Sequence, residues 1–235
     1  GEKRLRKDSN HAVTTPRVVH IPPGIVPLEP MTRDERRSAR ASMGLPPDTP
    51  IILFAGDLEF SRAAEVLAGA ALQVLEQMSA VFVFACRAKT PAAAMASQTL
   101  QARLAGPIAS GHVRFPATVT VFSELLRCVD VQVLPADTTY AKTDLPLVLL
   151  EGMSAGVPAV VGVGTAMDEL VSRGAATGVD PASETALAEV LAHLGRNPEA
   201  RMAAGDAART LVMQRHTATH MAMQHDRLYR ELRDA

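Results

Sequence analysis

The chain has 235 residues, 47% of them apolar, and a formal net charge of −1. That length supports one sizeable core, read as a single domain, and the composition excludes both a disordered tail and a strong field for attracting polyanions. Aromatic residues make up only 3%, with no Trp, so no base-stacking platform and no nucleic-acid partner are expected.

Gly1 to Arg17 is basic and polar and lacks the apolar stretch of a signal peptide. Val18-Val19-His20-Ile21 reads as a short strand ended by Pro22-Pro23-Gly24. Thr32 to Met43 follows as a charged helix, with Thr32 and Glu35 spaced as a capping box and Gly44 as its stop. From Ile51 strands and helices alternate. The expected strands are Ile51 to Ala55, Val81 to Ala85, Val113 to Phe115, Val131 to Leu134, Pro158 to Val163 and a weak one near Ala176 to Val179. Between them the spacing predicts helices over Arg62 to Met78, Pro91 to Leu104, Val121 to Arg127, Pro146 to Ala155 and Ala166 to Ser172. Ser183 to Ala235 reads as three helices.

Continuous Val/Ile/Leu/Phe runs indicate strands covered on both faces, and helical crossovers between them imply an α/β fold with a doubly wound parallel sheet. Such sheets bind ligands outside the carboxyl ends of their strands. Four junctions therefore matter: Gly56 to Arg62, Arg87 to Thr90, Pro116 to Thr120 and Pro135 to Pro146. Cys86 and Cys128 read as small buried thiols of a reducing compartment, and no apolar run approaches the roughly 20 residues that span a bilayer. A cytoplasmic protein, or one at the inner face of a membrane, is expected.

The run Asp144-Leu145-Pro146-Leu147-Val148-Leu149-Leu150-Glu151-Gly152-Met153-Ser154-Ala155-Gly156-Val157-Pro158 carries the strongest signal. Pro146 suits a first helical turn, where the N–H groups of Leu147 and Val148 lack intrahelical partners. Free donors at the positive end of a helix dipole suit a diphosphate. Glu151 lies one turn further along a helix that is apolar on nearly every side, where a carboxylate needs hydrogen-bond donors. Two vicinal ribose hydroxyls supply them; so does a backbone N–H or a basic side chain, and the spacing alone leaves both readings open.

This run resembles the signature of the group 1 (family 4) retaining glycosyltransferases, enzymes of the two-domain GT-B architecture. Val19-His20-Ile21-Pro22-Pro23-Gly24-Ile25, Met43-Gly44-Leu45-Pro46 with Ile51-Ile52-Leu53-Phe54-Ala55-Gly56, and Cys128-Val129-Asp130-Val131-Gln132-Val133-Leu134-Pro135 resemble further segments of that family in the same order. The likeness extends from Val18 to about Asn197. It implies that residues 18–235 form the C-terminal, donor-nucleotide-binding Rossmann-like domain with a helical tail, residues 1–17 being interdomain linker. The resemblance places the ribose of a UDP- or GDP-sugar on Glu151 and the diphosphate at Arg62 and the backbone of Leu147 and Val148, with Gly56 also among the donor-binding residues. It brings the nucleobase to the loop containing Ala117 and Val119. It implies no metal and no other cofactor. The partners it implies are the sugar nucleotide and an N-terminal domain that carries the acceptor site.

Two positions depart from the family pattern. Thr143 occupies the place of the first glutamate of the paired motif, leaving Asp144, one residue later, as the catalytic candidate or as a helix cap. Asp57 occupies the place of a basic residue after the first-strand glycine. Transfer with retention is the activity expected of the whole enzyme; a degenerate non-catalytic domain and a sugar-nucleotide epimerase half are the alternatives.

Gly162-Val163-Gly164-Thr165-Ala166 matches part of a dinucleotide fingerprint but lacks the third glycine and the acid at their places. Asp168 and Glu169 suit the start of a helix as well as they suit a site. His216 and His220, four apart, and His225 lack the third ligand of a metal site and read as surface histidines. Ser123 and Ser154 lack a hydrolase pattern around them. Basic and acidic residues interleave along the last helices, a solvated face that leaves room for peripheral membrane contact. Met221 to Leu232 is expected to expose apolar surface.

Overall fold

The computed structural model describes residues 18–116, 119, 121–140 and 144–234. The segment expected as interdomain linker, residues 1–17, therefore lies outside the described residues.

Elements follow the expected alternation. Helix α1 (Arg33–Ser42) is capped by Thr32, whose side chain accepts from the Glu35 N–H while Glu35 accepts from the Thr32 N–H at 2.8 Å. It ends at Gly44, whose φ of 63° only glycine adopts without strain. Then come β1 (Ile51–Phe54), α2 (Ala63–Gln77), β2 (Val81–Phe84), α3 (Pro91–Arg103), a short α4 (Ala105–Ala109) and β3 (Val113–Arg114). The second half runs α5 (Phe122–Cys128), β4 (Val131–Leu134), α6 (Leu147–Ser154), β5 (Ala159–Gly162), α7 (Asp168–Ser172) and β6 (Thr177–Val179). Helices α8 (Glu184–Arg196), α9 (Pro198–Arg215) and α10 (Ala218–Arg233) close the chain. Among the described residues no helix is long and apolar enough to cross a membrane.

The six strands form one parallel sheet in the order β3-β2-β1-β4-β5-β6. The order reverses between β1 and β4, so the crevice at their carboxyl ends is the place this topology offers a ligand. Each central strand is buried on both faces, which explains its unbroken apolar run. Ile52, Phe54, Phe82 and Phe84 pack into the core that contains α2 and α8, while Ile51, Leu53, Val81 and Val83 pack toward α1 and α5.

Two features hold α6 in place. The buried Gln132 amide donates from β4 to the Leu149 carbonyl at 3.0 Å, and Gly152 leaves room for it, since a Cβ there would stand 2.5 Å from the Gln132 oxygen. At the other end of β4, Asp130 is 8% exposed and accepts from Arg40 at 2.6 Å, Arg36 at 2.8 Å and the Ile51 N–H at 2.7 Å. Arg201 stands 3.6 Å away. This acid binds α1, β1, β4 and α9 together on the side of the sheet remote from the crevice.

The strand expected at Val18 to Ile21 does not form. Pro22 and Pro23 carry no N–H for a ladder. The segment docks instead on the α9–α10 junction, where the Ile25 N–H donates to the His216 carbonyl at 2.8 Å and Ile25 accepts from the Ala218 N–H at 2.8 Å. Further along, the Leu28 N–H donates to the Ser154 hydroxyl at 2.8 Å, and Arg209 donates to the carbonyls of Leu28 and Ser154. His216 and His220 consequently do not share a helix: His216 caps the end of α9 and is fully buried, contrary to a surface reading, while His220 lies on α10 and meets the Thr217 hydroxyl at 2.7 Å. On α10 the side chains of Met223, Tyr229 and Leu232 are exposed, as expected for that helix.

Candidate active site at the sheet switch point

The cleft at the carboxyl ends of β1, β2 and β4 has a volume of about 700 Å³. Its floor is Ala55 and Gly56 after β1, with Ala85 and Cys86 after β2. Pro146 and Val148 at the start of α6 form one wall, and Pro116, Val119 and Phe122 form another. A Cβ on Gly56 would stand 2.3 Å from the Phe54 ring, so only glycine lets the backbone lie flat on that aromatic side chain. Behind it Phe84 stacks on Phe115 at 4.9 Å, giving the floor rigid aromatic support. Burial pushes the Cys86 thiol up to about 12, which keeps it a neutral, unreactive part of the floor.

Helix α6 starts one residue later than its sequence suggests. Pro146 is the N-cap, with φ −61° and ψ 124°, rather than part of the first turn. A proline has no side-chain acceptor, and no side chain among the described residues caps this helix end. The Pro146 carbonyl takes the N–H of Leu149 at 3.0 Å; no described residue accepts from Leu147 or Val148. Asp144 is exposed and forms no cap, which corrects its reading as one. The matching turn after β5 is sealed: both carboxylate oxygens of Asp168 accept from the Gly164 N–H at 3.1 Å, and Glu169 pairs with Arg173. The fingerprint-like glycines and the acids beside them thus have a structural use.

Glu151 is half-buried, and its carboxylate has no hydrogen-bond or ion-pair partner among the described residues. Burial raises its pKa above the ordinary carboxylate value. Among the described residues neither the backbone donor nor the basic side chain that would explain it structurally is there. It follows Val148 by three residues, so the two share a helix face, and Val148 lines the cleft.

The cationic candidates are arranged otherwise than expected. The Arg62 guanidinium is exposed, lies 3.5 Å from Glu65, and does not line the cleft; its backbone N–H donates to Asp137 at 3.3 Å, tying the loop after β1 to the loop after β4. Asp57 accepts from the N–H groups of Glu59 and Phe60 at 2.9 and 2.8 Å, shaping the β1–α2 loop. Val119 lines the cleft, whereas Ala117 and Thr143 lie outside the described residues. Sequence reasoning marked the junction after β2 but passed over Arg87 and Lys89, which the structure places on the cleft lining. Their signal was available: two cations at the carboxyl end of a central strand.

An all-parallel sheet with this strand order, open at its switch point, defines a Rossmann-like architecture. Residues 49–197 match the family model described as glycosyl transferases group 1. The chain therefore belongs to the group 1 glycosyltransferases, with the fold of the C-terminal half of a GT-B enzyme. It is 31% identical over 186 residues to D-inositol 3-phosphate glycosyltransferase 2 of Catenulispora acidiphila, covering 74% of this chain and 42% of that protein. Among solved structures, the Anabaena protein HepE in complex with UDP superposes with a TM-score of 0.74 at 15% identity, over 87% of this chain and 56% of that one. The C-terminal domain of a group 1 glycosyl transferase from Francisella tularensis, LpcC, gives 0.68 at 18% identity, over 83% and 96%. At these identities the two structures speak for the fold alone. The chain spans less than half the length of curated relatives it matches.

Proposed function

We propose that this chain holds the nucleotide-sugar donor, a UDP- or GDP-sugar, for a retaining glycosyltransferase whose acceptor site lies on an N-terminal GT-B domain. One observation carries the reading: two amides at the start of α6 that no described residue accepts from stand one turn from a half-buried carboxylate without a partner among the described residues, beside the cleft at the switch point. The amides suit a diphosphate. The carboxylate suits two vicinal ribose hydroxyls, each a donor. UDP in the structurally similar HepE supports the choice of ligand class.

In the proposed reaction the bond from the anomeric carbon to the diphosphate breaks with both electrons going to the diphosphate, while an acceptor hydroxyl oxygen bonds to that carbon on the same face and its proton passes to the departing diphosphate. The α6 amides and dipole stabilise the charge that develops there, and no metal forms part of the proposal. Asp144, exposed just ahead of α6, remains the candidate for contact with the donor sugar. A cytoplasmic setting completes the proposal and suits the two free cysteines.

Calorimetric titration of UDP and GDP into the chain and its Glu151→Ala variant tests this reading. Whichever nucleotide binds is expected to lose about 10- to 100-fold in affinity, the worth of hydrogen bonds to a charged acceptor. Equal binding by both proteins removes Glu151 from the site.

A further inference from the structure

We infer that Arg87 and Lys89, on the turn between β2 and α3, supply the positive charge for the donor's diphosphate in this chain. The inference rests on the donor-site reading above and names the groups that complete it. Among the described residues four charged side chains line the cleft: Asp57, Glu59, Arg87 and Lys89. The two acids are engaged. Asp57 accepts from two backbone N–H groups of its own loop, and Glu59 accepts from the hydroxyl of Thr90, which also caps α3. The two cations have neither an ion pair nor a side-chain hydrogen bond among the described residues. A cleft whose acids are answered and whose cations are not attracts an anion.

The positions assigned to diphosphate contact by family resemblance offer little charge here. Residue 57 is an acid that builds a turn, and Arg62 faces solvent beside Glu65. The sheet order sets β2 and β4 on either side of β1, so their carboxyl ends are only about 10 Å apart. A diphosphate resting on the α6 amides beyond β4 is thus open to long cationic side chains arriving from beyond β2. The loop after β1 presents Asp57 and Glu59 to the cleft, while its one cation, Arg62, does not line it. The pull of the α6 helix end and that of Arg87 and Lys89 then act from opposite walls of one cleft.

The test is calorimetric titration of UDP, UMP, GDP and GMP into the wild-type chain and the variants Arg87→Ala/Lys89→Ala, Arg87→Lys/Lys89→Arg and Arg62→Ala. Both residues are exposed, so their removal leaves the fold intact, and circular dichroism checks this. The double alanine variant is expected to lose about 20-fold in affinity for the diphosphate and less for the monophosphate. The charge-preserving double variant should stay within about threefold of wild type, and Arg62→Ala should lose less than the double alanine variant. Equal losses for diphosphate and monophosphate would overturn the inference by assigning these residues to the nucleoside. So would unchanged binding in the double alanine variant, which leaves the donor-site reading standing. A wild-type chain that binds none of the four nucleotides overturns both.

Discussion

The two ends of β4 handle charge in opposite ways. At its amino end Asp130 is buried, and two guanidinium groups and a backbone N–H satisfy it within 2.8 Å. At its carboxyl end the helix that follows begins with two amides that no described residue accepts from and carries a half-buried carboxylate that no described residue meets. The first end is closed by the protein's own groups and serves stability. The second is left open, a cost the fold bears where a ligand can supply the missing partners. The same contrast recurs between neighbouring turns, since Asp168 seals the amide of Gly164 after β5 while Pro146 leaves the start of α6 bare.

Variants that remove an acid from each end sharpen this contrast. Asp130→Ala strands Arg36 and Arg40 without their counter-charge, and urea denaturation should show a loss of about 3–5 kcal/mol. Glu151→Ala should leave unliganded stability unchanged or raise it by up to ~1 kcal/mol, because it removes a desolvated charge without breaking a bond. Equal destabilisation by both would end the distinction. Gly56→Ala should cost about 1–3 kcal/mol by forcing the backbone off the Phe54 ring, with nucleotide binding weakened in the same protein.

Two pH dependences follow, with opposite assignments. Protonation of Glu151 removes the acceptor for ribose, and its pKa lies above the ordinary 4.5, so nucleotide affinity should fall as pH drops through that raised value. Calorimetry from pH 7 downward checks this, and Glu151→Gln should flatten the curve. His216 is fully buried with Nε2 unpartnered among the described residues, and burial lowers its pKa below 6.5. The folded state then binds fewer protons than the unfolded chain, so stability is fully present above 6.5 and declines as pH falls toward the lowered folded value. Thermal melts across that window should show a smaller decline in His216→Phe. Thr32→Ala removes the α1 cap, should cost about 0.5–2 kcal/mol by urea denaturation and leaves nucleotide binding untouched.

Much of this was legible in the order of residues. Apolar runs of four between helical spacings determined the strands and their burial on both faces, because a parallel strand needs cover on each side. The capping box at Thr32, the left-handed ends at Gly44 and Gly156, and the proline at the head of α6 are local devices whose physics acts within a few residues. What tertiary structure alone decided is who meets whom across the fold. Pro22 and Pro23 exclude a ladder, but only packing on the α9–α10 junction shows where that segment goes and why His216 is buried. A sequence names Glu151, Arg62, Arg87 and Asp57 as charges. Whether each is answered by a neighbour or left open to a ligand depends on contacts between residues far apart in the chain, and spacing along the chain carries no record of those.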